Sequence, residues 1–538
     1  MYIRTKRVYQ NGRWYEYLLI VEATLTSKGP RQKTVANLGR KDLLDPADID
    51  KLVRSMAPLA QRTLILDPSR EDEGYQGSRL LGALPVFRRL FEELGVGPFL
   101  RGANRTDMLL DRAVFAMVAA RLMDPLSKLR TFEEWLPSVY APDLEDLRLH
   151  HLYRALDLLA ETKDALEQTL WQKTRGLFNP ALDLVLVDTT NTYVEGETRG
   201  DLAQYGKSKE RRYDRRLLSI GVLVTGAGIP IGHEVFPGNL HDARAFTRLV
   251  KSLEERFSIS RVILCADRGM VSEEILKGLR EAGLPYVVGC RMTRAAERAI
   301  SDRAGVWREL EGLPIRIKPL RVEGEWYVVC HNREEAEREK QRRQEIITRL
   351  RAVLKQNPSG SALLRNTSFR PYVRVQGKLV ALDAEALKKK ARYDGKYVLR
   401  SSAELSPEQI FRAYRQLYQV ERVFREVKGP LELRPIRHFT DRRIRGHVMV
   451  CFLAYALEMA LRQAMGQQHG GLLAEHDYHA VMRDLGGLSV ATLIQGDRRY
   501  EVRSQLGGRA FEAFQAVGLR PPPRVLKGPA DSGQEAGL

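Results

Sequence analysis

The chain has 538 residues, room for roughly three or four domains with cores of their own, and its 43% hydrophobic content is ordinary for a folded protein. Its charge is not ordinary: 87 Lys and Arg against 68 Asp and Glu leave a formal +19, which points to a polyanionic partner, nucleic acid first and an anionic membrane surface second. The membrane reading is weak, because the longest apolar run, Val448 to Ala460, contains Glu458 and falls short of the ~20 residues a span needs. The basic start has no apolar segment behind it, so no secretory signal is read and a cytoplasmic protein with no membrane partner is expected.

The first predicted element is a hairpin. Polar and apolar residues alternate on both sides of Asn11-Gly12, a strong two-residue turn signal, and a small basic β element follows to about Leu66. From about Leu80 to Leu177, apolar residues recur at steps of three and four, as in "DMLLDRAVFAMVAARLM", and an all-helical segment is predicted. From Leu182 the period changes to short apolar runs bounded by turns. "LDLVLVD" ends at Asp188, "LLSIGVLVTGAGIPIGHEVF" reads as two strands around Gly226 to Gly228, and "RVILCAD" ends at Asp267. A helix and the strand "YVVG" follow, which makes a mixed α/β pattern with centrally placed strands. Between about Arg291 and Ala403 lie more strand-like pieces and one strongly charged helix, read as a solvated helix inside a β-rich insertion.

The next helix is well marked: Ser406, Pro407 and Gln409 form a Ser-x-x-Gln capping box with proline in the first turn, and Gly429-Pro430 ends it. Read as one helix, it places Ile410, Tyr414, Leu417, Glu421, Phe424 and Lys428 on one face, so Glu421 is expected to point inward. A carboxylate there needs a hydrogen bond, a cationic partner or a metal. The final stretch from Pro521, rich in Pro, Gly and small polar residues, is expected to be disordered. The cysteines, Cys265, Cys290, Cys330 and Cys451, are far apart and read as core residues, with neither a zinc site nor a disulfide framework suggested.

Asp188 and Asp267 end apolar strands and Glu421 points inward from a helix, 79 and 154 residues apart in turn, so only a fold would gather them. Oxygen-only ligands suit Mg²⁺ or Mn²⁺, and two such ions about 3.5–4 Å apart activate one oxygen and stabilise another in phosphoryl transfer. Each aspartate by itself reads first as a turn or cap residue, and Glu421 by itself could pair with Lys428 or an arginine. The surroundings add to the combination: Phe411 to Arg445 holds ten Lys and Arg against four acids, a cradle for a phosphate backbone. The loop between the first two core strands carries Lys207, Lys209, Arg211, Arg212, Arg215 and Arg216, which would grip DNA beside Asp188 or form an exposed charged loop. In "PGNLHDARAF", Asn239 is read as shaping a turn, Asp242 as capping a helix and His241 as a surface residue. Trp326 reads as core packing before base stacking.

With these motifs in place, the sequence resembles the DDE transposases of bacterial insertion sequences, in the insertion-sequence-four superfamily. Their glutamate lies in a signature Tyr-x2-Arg-x3-Glu-x6-Lys, which is matched here by Tyr414, Glu421 and Lys428, with Leu417 in the arginine's place. "VLVDTTNTYVEG", "YGKSKERRYDRR", "FPGNLHDARAF", "CADRGMVSEE" and "RPIRHFTDRRIRGHVMVCFLAYAL" extend the likeness over about Leu182 to Leu461. The resemblance implies a ribonuclease H-like mixed-sheet core with Asp188 on the first strand, Asp267 after the fourth and Glu421 on a late helix. It implies metal-dependent hydrolysis at the terminal inverted repeats, followed by attack of the freed 3′-OH ends on target DNA, with Asp188, Asp267 and Glu421 holding two Mg²⁺ or Mn²⁺ ions. Tyr414 and Lys428 would contact the flanking phosphates, with Arg415, Arg422 or Arg425 compensating for Leu417, and a homodimer would pair the two DNA ends. The implied organisation is a basic β element over 1–75, a helical end-binding domain over 76–178, core over 179–290 and 405–470, the β-rich insertion over 291–404 and a C-terminal region over 471–538. A nuclease that cuts without joining, or an inactive DNA-binding relative, would use the same residues. No Walker-type phosphate loop occurs, so no nucleotide is expected to be consumed.

Overall fold

A computed structural model describes residues 1–26, 29–56, 59, 74–104, 107, 109–178, 184–206, 212–240, 242–257, 263–267, 272–290, 295–356, 368–376, 379–466, 472–495 and 498–527. Strands β1 (Tyr2–Gln10) and β2 (Arg13–Thr26) pair from Gln10 opposite Arg13. Asn11 and Gly12 both have positive φ, 52° and 76°, the backbone of the two-residue turn that the Asn-Gly pair favours. β3 (Gly29–Arg40) completes a three-stranded antiparallel sheet, followed by α1 (Pro46–Met56) and β4 (Gly74–Leu80).

The helical stretch contains α2 (Leu84–Glu93), α3 (Val96–Ala103), α4 (Leu110–Met123) and the 30-residue α5 (Leu149–Phe178). Next come β5 (Leu184–Val194), β6 (Arg216–Thr225), β7 (Pro230–Pro237), α6 (Asp242–Phe257), β8 (Ile263–Ala266), α7 (Glu273–Glu281) and β9 (Tyr286–Gly289). The insertion supplies α8 (Ala295–Asp302), β10 (Arg308–Glu309), β11 (Ile315–Val322), β12 (Glu325–Asn332), the charged α9 (Arg333–Gln356), β13 (Val373–Gln376), β14 (Leu379–Leu382), α10 (Ala384–Ala391) and β15 (Lys396–Ser401). Then follow α11 (Pro407–Arg415), α12 (Tyr418–Lys428), α13 (Asp441–Gly466), α14 (Glu475–Gly486), β16 (Ser489–Gln495), β17 (Arg498–Arg503), α15 (Ala510–Ala516) and β18 (Val525–Lys527).

One nine-stranded sheet organises the core, in the order β10-β11-β12-β15-β9-β8-β5-β6-β7. β5, β8 and β9 are parallel, β6 runs antiparallel to β5, and β7 antiparallel to β6. This is a mixed α/β sheet consistent with a ribonuclease H-like domain. The β-rich insertion extends this sheet: β15 pairs antiparallel with β9 through Leu399 opposite Gly289 and Ser401 opposite Val287, covering an edge that would otherwise stand open. β13 and β14 form a separate hairpin. On one sheet face, Val185, Val187, Leu264 and Ala266 pack against Ala245, Phe246 and Leu249 of α6 and Leu276 and Leu279 of α7.

Contacts divide the chain into two units. One takes in Met1–Ser78, Val490–Ser504 and the stretch from Pro522, and contains the N-terminal sheet and most of a second sheet, β18-β17-β16-β4. The tail expected to be disordered therefore begins with a strand, Val525 opposite Val502 on β17; residues 528–538 lie outside the described residues. The other unit joins Arg79–Ser489 with Gln505–Pro521. The helical segment, expected as a domain of its own, belongs to this unit together with the sheet. Fully buried Glu167 of α5 accepts the backbone N–H of His233 on β7 at 3.0 Å and the Lys163 ammonium at 3.1 Å. Burial opposes its charge, but Lys163, His233 and Arg256 overcome this and hold Glu167 down at about 2. α13 is long and apolar enough to cross a membrane, but 94% of its apolar window is buried inside the protein, as in a core helix.

Candidate active site

The site begins with strand register. β5 and β8 run parallel with Leu186 opposite Cys265 and Val187 opposite Ala266. The pairing ends there: Asp188 continues β5, and Asp267 is the first residue beyond β8, on neighbouring chain segments whose strands are spaced about 4.8 Å apart. Side chains alternate along a strand, and with Val187 and Ala266 committed to the α6 face, both aspartates turn to the opposite one. Cys265 confirms that face: its thiol donates to the Ala413 carbonyl of α11 at 3.6 Å, and burial, with the Asp267 charge, pushes its pKa up. Asp188 is half-buried, and its Oδ1 accepts the Thr189 N–H at 2.7 Å. Asp267 is exposed, and its Oδ1 accepts the Tyr414 hydroxyl at 2.8 Å.

The capping box forms as the sequence implies: the Ser406 side chain accepts the Gln409 N–H and the Gln409 side chain accepts the Ser406 N–H. The helix it starts is not continuous. α11 stops at Arg415, and around it Gln416, Leu417, Gln419 and Val420 each donate to the carbonyl three residues earlier, as in a 3₁₀ turn. Each such residue turns about 20° further than an α-helical one, so the apolar stripe projected through the break is lost. Glu421 is exposed, in the first turn of α12, and the expected inward orientation is corrected. The carboxylate buried on this helix is Glu426, with Glu458 of α13 as its counterpart, each 2% exposed. Burial first, then Glu475, pushes Glu426 up; burial first, then Glu426, pushes Glu458 up to about 7. Sequence periodicity missed this pair, since its signal depends on where the helix breaks.

α12 nevertheless lies along β5. At its far end the Lys428 ammonium donates to the Asn191 carbonyl at 2.6 Å. Near its start, the Gln416 amide and the Leu184 side chain both lie within 4 Å of where a Cβ on Gly226 would sit. The helix thus runs in the same direction as the strand. Glu421 is about 7.5 Å past Gln416 along the chain, in the first turn of α12, and Asp188 about 13 Å past Leu184 along the strand, so the two stand at comparable distances from that shared starting point. Among the described residues, no three Asp, Glu, His or Cys side chains are grouped closely enough to hold a metal ion. The structure therefore brings Asp188 and Asp267 together and sets the Glu421 helix alongside, with the glutamate side chain turned to solvent.

The cations expected on DNA differ in where they lie. Arg425 is exposed. Arg422, expected to contact phosphate, is half-buried and directs Nη2 to the Met459 sulfur at 3.5 Å, toward α13. Arg212 lies beyond the end of β5, its guanidinium 4.8 Å from the Tyr193 ring centre and donating to both Asp214 oxygens at 3.0 and 3.1 Å. Lys207, Lys209 and His241 lie outside the described residues. Trp326, on β12, packs under the Arg321 guanidinium at 4.4 Å.

Residues 179–457 match a family described as a transposase DDE domain, and residues 3–71 match the N-terminal domain of the IS1634 family of transposases. No curated protein matches the chain. The first match covers more than half of the sequence and contains Asp188, Asp267 and Glu421, and its domain implies phosphoryl transfer. The chain belongs to the DDE transposases of insertion sequences.

Proposed function

We propose that the protein binds the terminal inverted repeats of an insertion sequence, cleaves the DNA at their ends and joins the freed 3′-OH ends to target DNA, with two copies pairing two ends. The observation that carries this reading is the side-by-side placement of Asp188 and Asp267 on one sheet face, with Tyr414 bonded to Asp267 and α12 laid along β5.

The donor set fits a hard divalent cation: both aspartates offer only oxygen, and two adjacent carboxylates repel unless a cation offsets them. Asp188 and Asp267 would hold it, joined by Glu421, and bound Mg²⁺ or Mn²⁺ would supply charge stabilisation at the attacking and leaving oxygens. In the first step a water oxygen bonds to phosphorus as the P–O3′ bond breaks, leaving a 3′-OH and a 5′-phosphate. In the second, that 3′ oxygen bonds to a target phosphorus and a target 3′ oxygen leaves. No bond to the protein is required. Tyr414 orients Asp267, and Lys428 fixes the helix that carries Glu421 to the strand that carries Asp188. The exposed Arg425, with the basic loop after β5, supports contact with the DNA backbone.

The test is cleavage and strand transfer on a labelled duplex carrying the element's own terminal repeat, with Mg²⁺ or Mn²⁺, comparing wild type with Glu421→Gln. Cutting and joining by wild type, with binding alone by the variant, supports the proposal. Cutting without joining would reduce it to a nuclease, and binding without cutting by both proteins would leave a DNA-binding relative.

A further inference from the structure

Behind the loop that links α12 to α13 lies a column of basic side chains without an acidic partner. Lys128, in the short helical turn Lys128–Arg130, is 4% exposed, and its Nζ lies 2.7 Å from Nδ1 of His447, which is 3% exposed. Nε2 of His447 lies 3.1 Å from the Leu433 carbonyl. A carbonyl only accepts, so Nε2 carries the proton, Nδ1 accepts from Lys128, and His447 is neutral. The His438 ring is 5.2 Å from the His447 ring, and buried Arg121 donates to the Glu432 carbonyl at 3.1 Å.

Among the described residues, no carboxylate pairs with Lys128, His438 or His447. Acids on the same elements are otherwise placed: Asp157 of α5 stands 3.5 Å from Arg443, Glu195 pairs with Arg437 at 3.1 Å, Asp441 accepts the Asp201 N–H at 2.9 Å, and Glu432 is exposed. The cluster keeps its charge down by excluding protons. Burial first, then Lys128, Arg121 and Arg443, push His438 down to about 3, and burial with Arg121 pushes Lys128 well below its usual range. Held neutral, these groups avoid the cost of unpaired charge in the interior, and an anion arriving from solvent at His438 would offset that cost and let the cluster take up a proton. The column reaches the surface at half-buried His438, between exposed Arg437 and Phe439.

We propose that His438, backed by His447, Lys128 and Arg121, is a seat for a tetrahedral oxyanion, and that its occupant is a backbone phosphate of bound DNA. The assignment of DNA as the source rests on the function proposed above. Ile436 bridges to Val194 at the end of β5, six residues from Asp188, or ~20 Å along the strand. At 3.4 Å of rise per nucleotide, the phosphate seated at His438 is on the order of six base pairs from the one cleaved. It is a positioning contact, distinct from the carboxylate site.

Two measurements on the full chain test this. Histidine-ring NMR at pH 7.5, with sulfate replacing chloride at constant ionic strength, reads the seat directly; His438→Gln identifies the resonance. Fluorescence anisotropy with a labelled 40-base-pair duplex of mixed sequence, over a salt series, reads the source. The expected result is a saturable shift of the His438 resonance with sulfate, and 3- to 10-fold weaker DNA binding by His438→Gln, with the salt slope reduced by about one and the melting temperature unchanged. A purely structural role would leave that slope alone. An unmoved His438 resonance, or a variant equal to wild type in affinity and slope, overturns the inference. A sulfate shift in a protein that binds no DNA would locate the failure in the DNA reading and leave the oxyanion seat standing.

Discussion

The Tyr414 hydroxyl reaches Asp267 at 2.8 Å because residue 289, at the end of β9, is glycine: a Cβ there would lie 2.5 Å from the phenol oxygen. One missing methyl on a central strand thus lets a helix residue orient an acid on the neighbouring strand. Tyr414→Phe removes a hydrogen bond to a charged group, worth about 1.5–3 kcal/mol, and is expected to slow cleavage about tenfold or more with DNA affinity nearly unchanged. Gly289→Ala should reproduce that loss by displacing the ring. Single-turnover cleavage measured with both variants checks the relationship; normal cleavage by Gly289→Ala would refute it.

Asp188→Asn and Asp267→Asn each remove one of two adjacent carboxylates. Cleavage should fall to background, with DNA binding retained. The melting temperature of the metal-free protein should hold or rise, since a repulsive pair has been relieved. Thermal unfolding in chelator, alongside the cleavage assay, reads both outcomes.

The arginines of α12 should separate by function. Arg425→Ala is expected to weaken DNA binding a few-fold and to lower the salt slope by about one, leaving thermal stability alone. Arg422→Ala, which removes a half-buried side chain facing α13, should lower the melting temperature and leave the salt slope intact.

Glu458 gives a pH signature. Its folded pKa, pushed up to about 7 from the ordinary 4.5, means the folded state keeps a proton that the unfolded state has released. The associated stability is complete below about pH 4.5 and is lost as pH rises to about 7, a change of about 3 kcal/mol. Histidines held neutral in the fold, such as half-buried His438, act oppositely, losing stability as pH falls below about 6.5, so the test is a difference. The stability of Glu458→Gln relative to wild type should increase across pH 4.5–7 and be constant above. Parallel urea titrations at several pH values measure it, and a flat difference would contradict the burial of this acid.

The cap of α11 provides a local control. Ser406→Ala should cost about 1 kcal/mol, seen as a lower urea midpoint with unchanged slope. Cleavage at saturating DNA should change little, because Tyr414 lies two turns further along.

What the sequence determined by itself is what short-range physics controls. The Asn11-Gly12 turn, the Ser406–Gln409 capping box, the strand pair around Gly226–Gly228 and the exposed charged helix α9 follow from backbone preferences and hydrogen bonds within a few residues, so their signals are local. The order of motifs around Asp188, Asp267 and Glu421 likewise carried the family. The tertiary structure decided what long-range contacts control. That the insertion extends the central sheet depends on the open edge of β9, which no window of sequence contains. Whether Glu421 or Glu426 is buried depends on a 3₁₀ turn at Gln416–Leu417, where neither proline nor glycine marks a break and packing of α12 against β5 and α13 selects the rotation. The pairing of Asp188 with Asp267 is a matter of strand register across 79 residues, settled by which apolar side chains fit beneath α6.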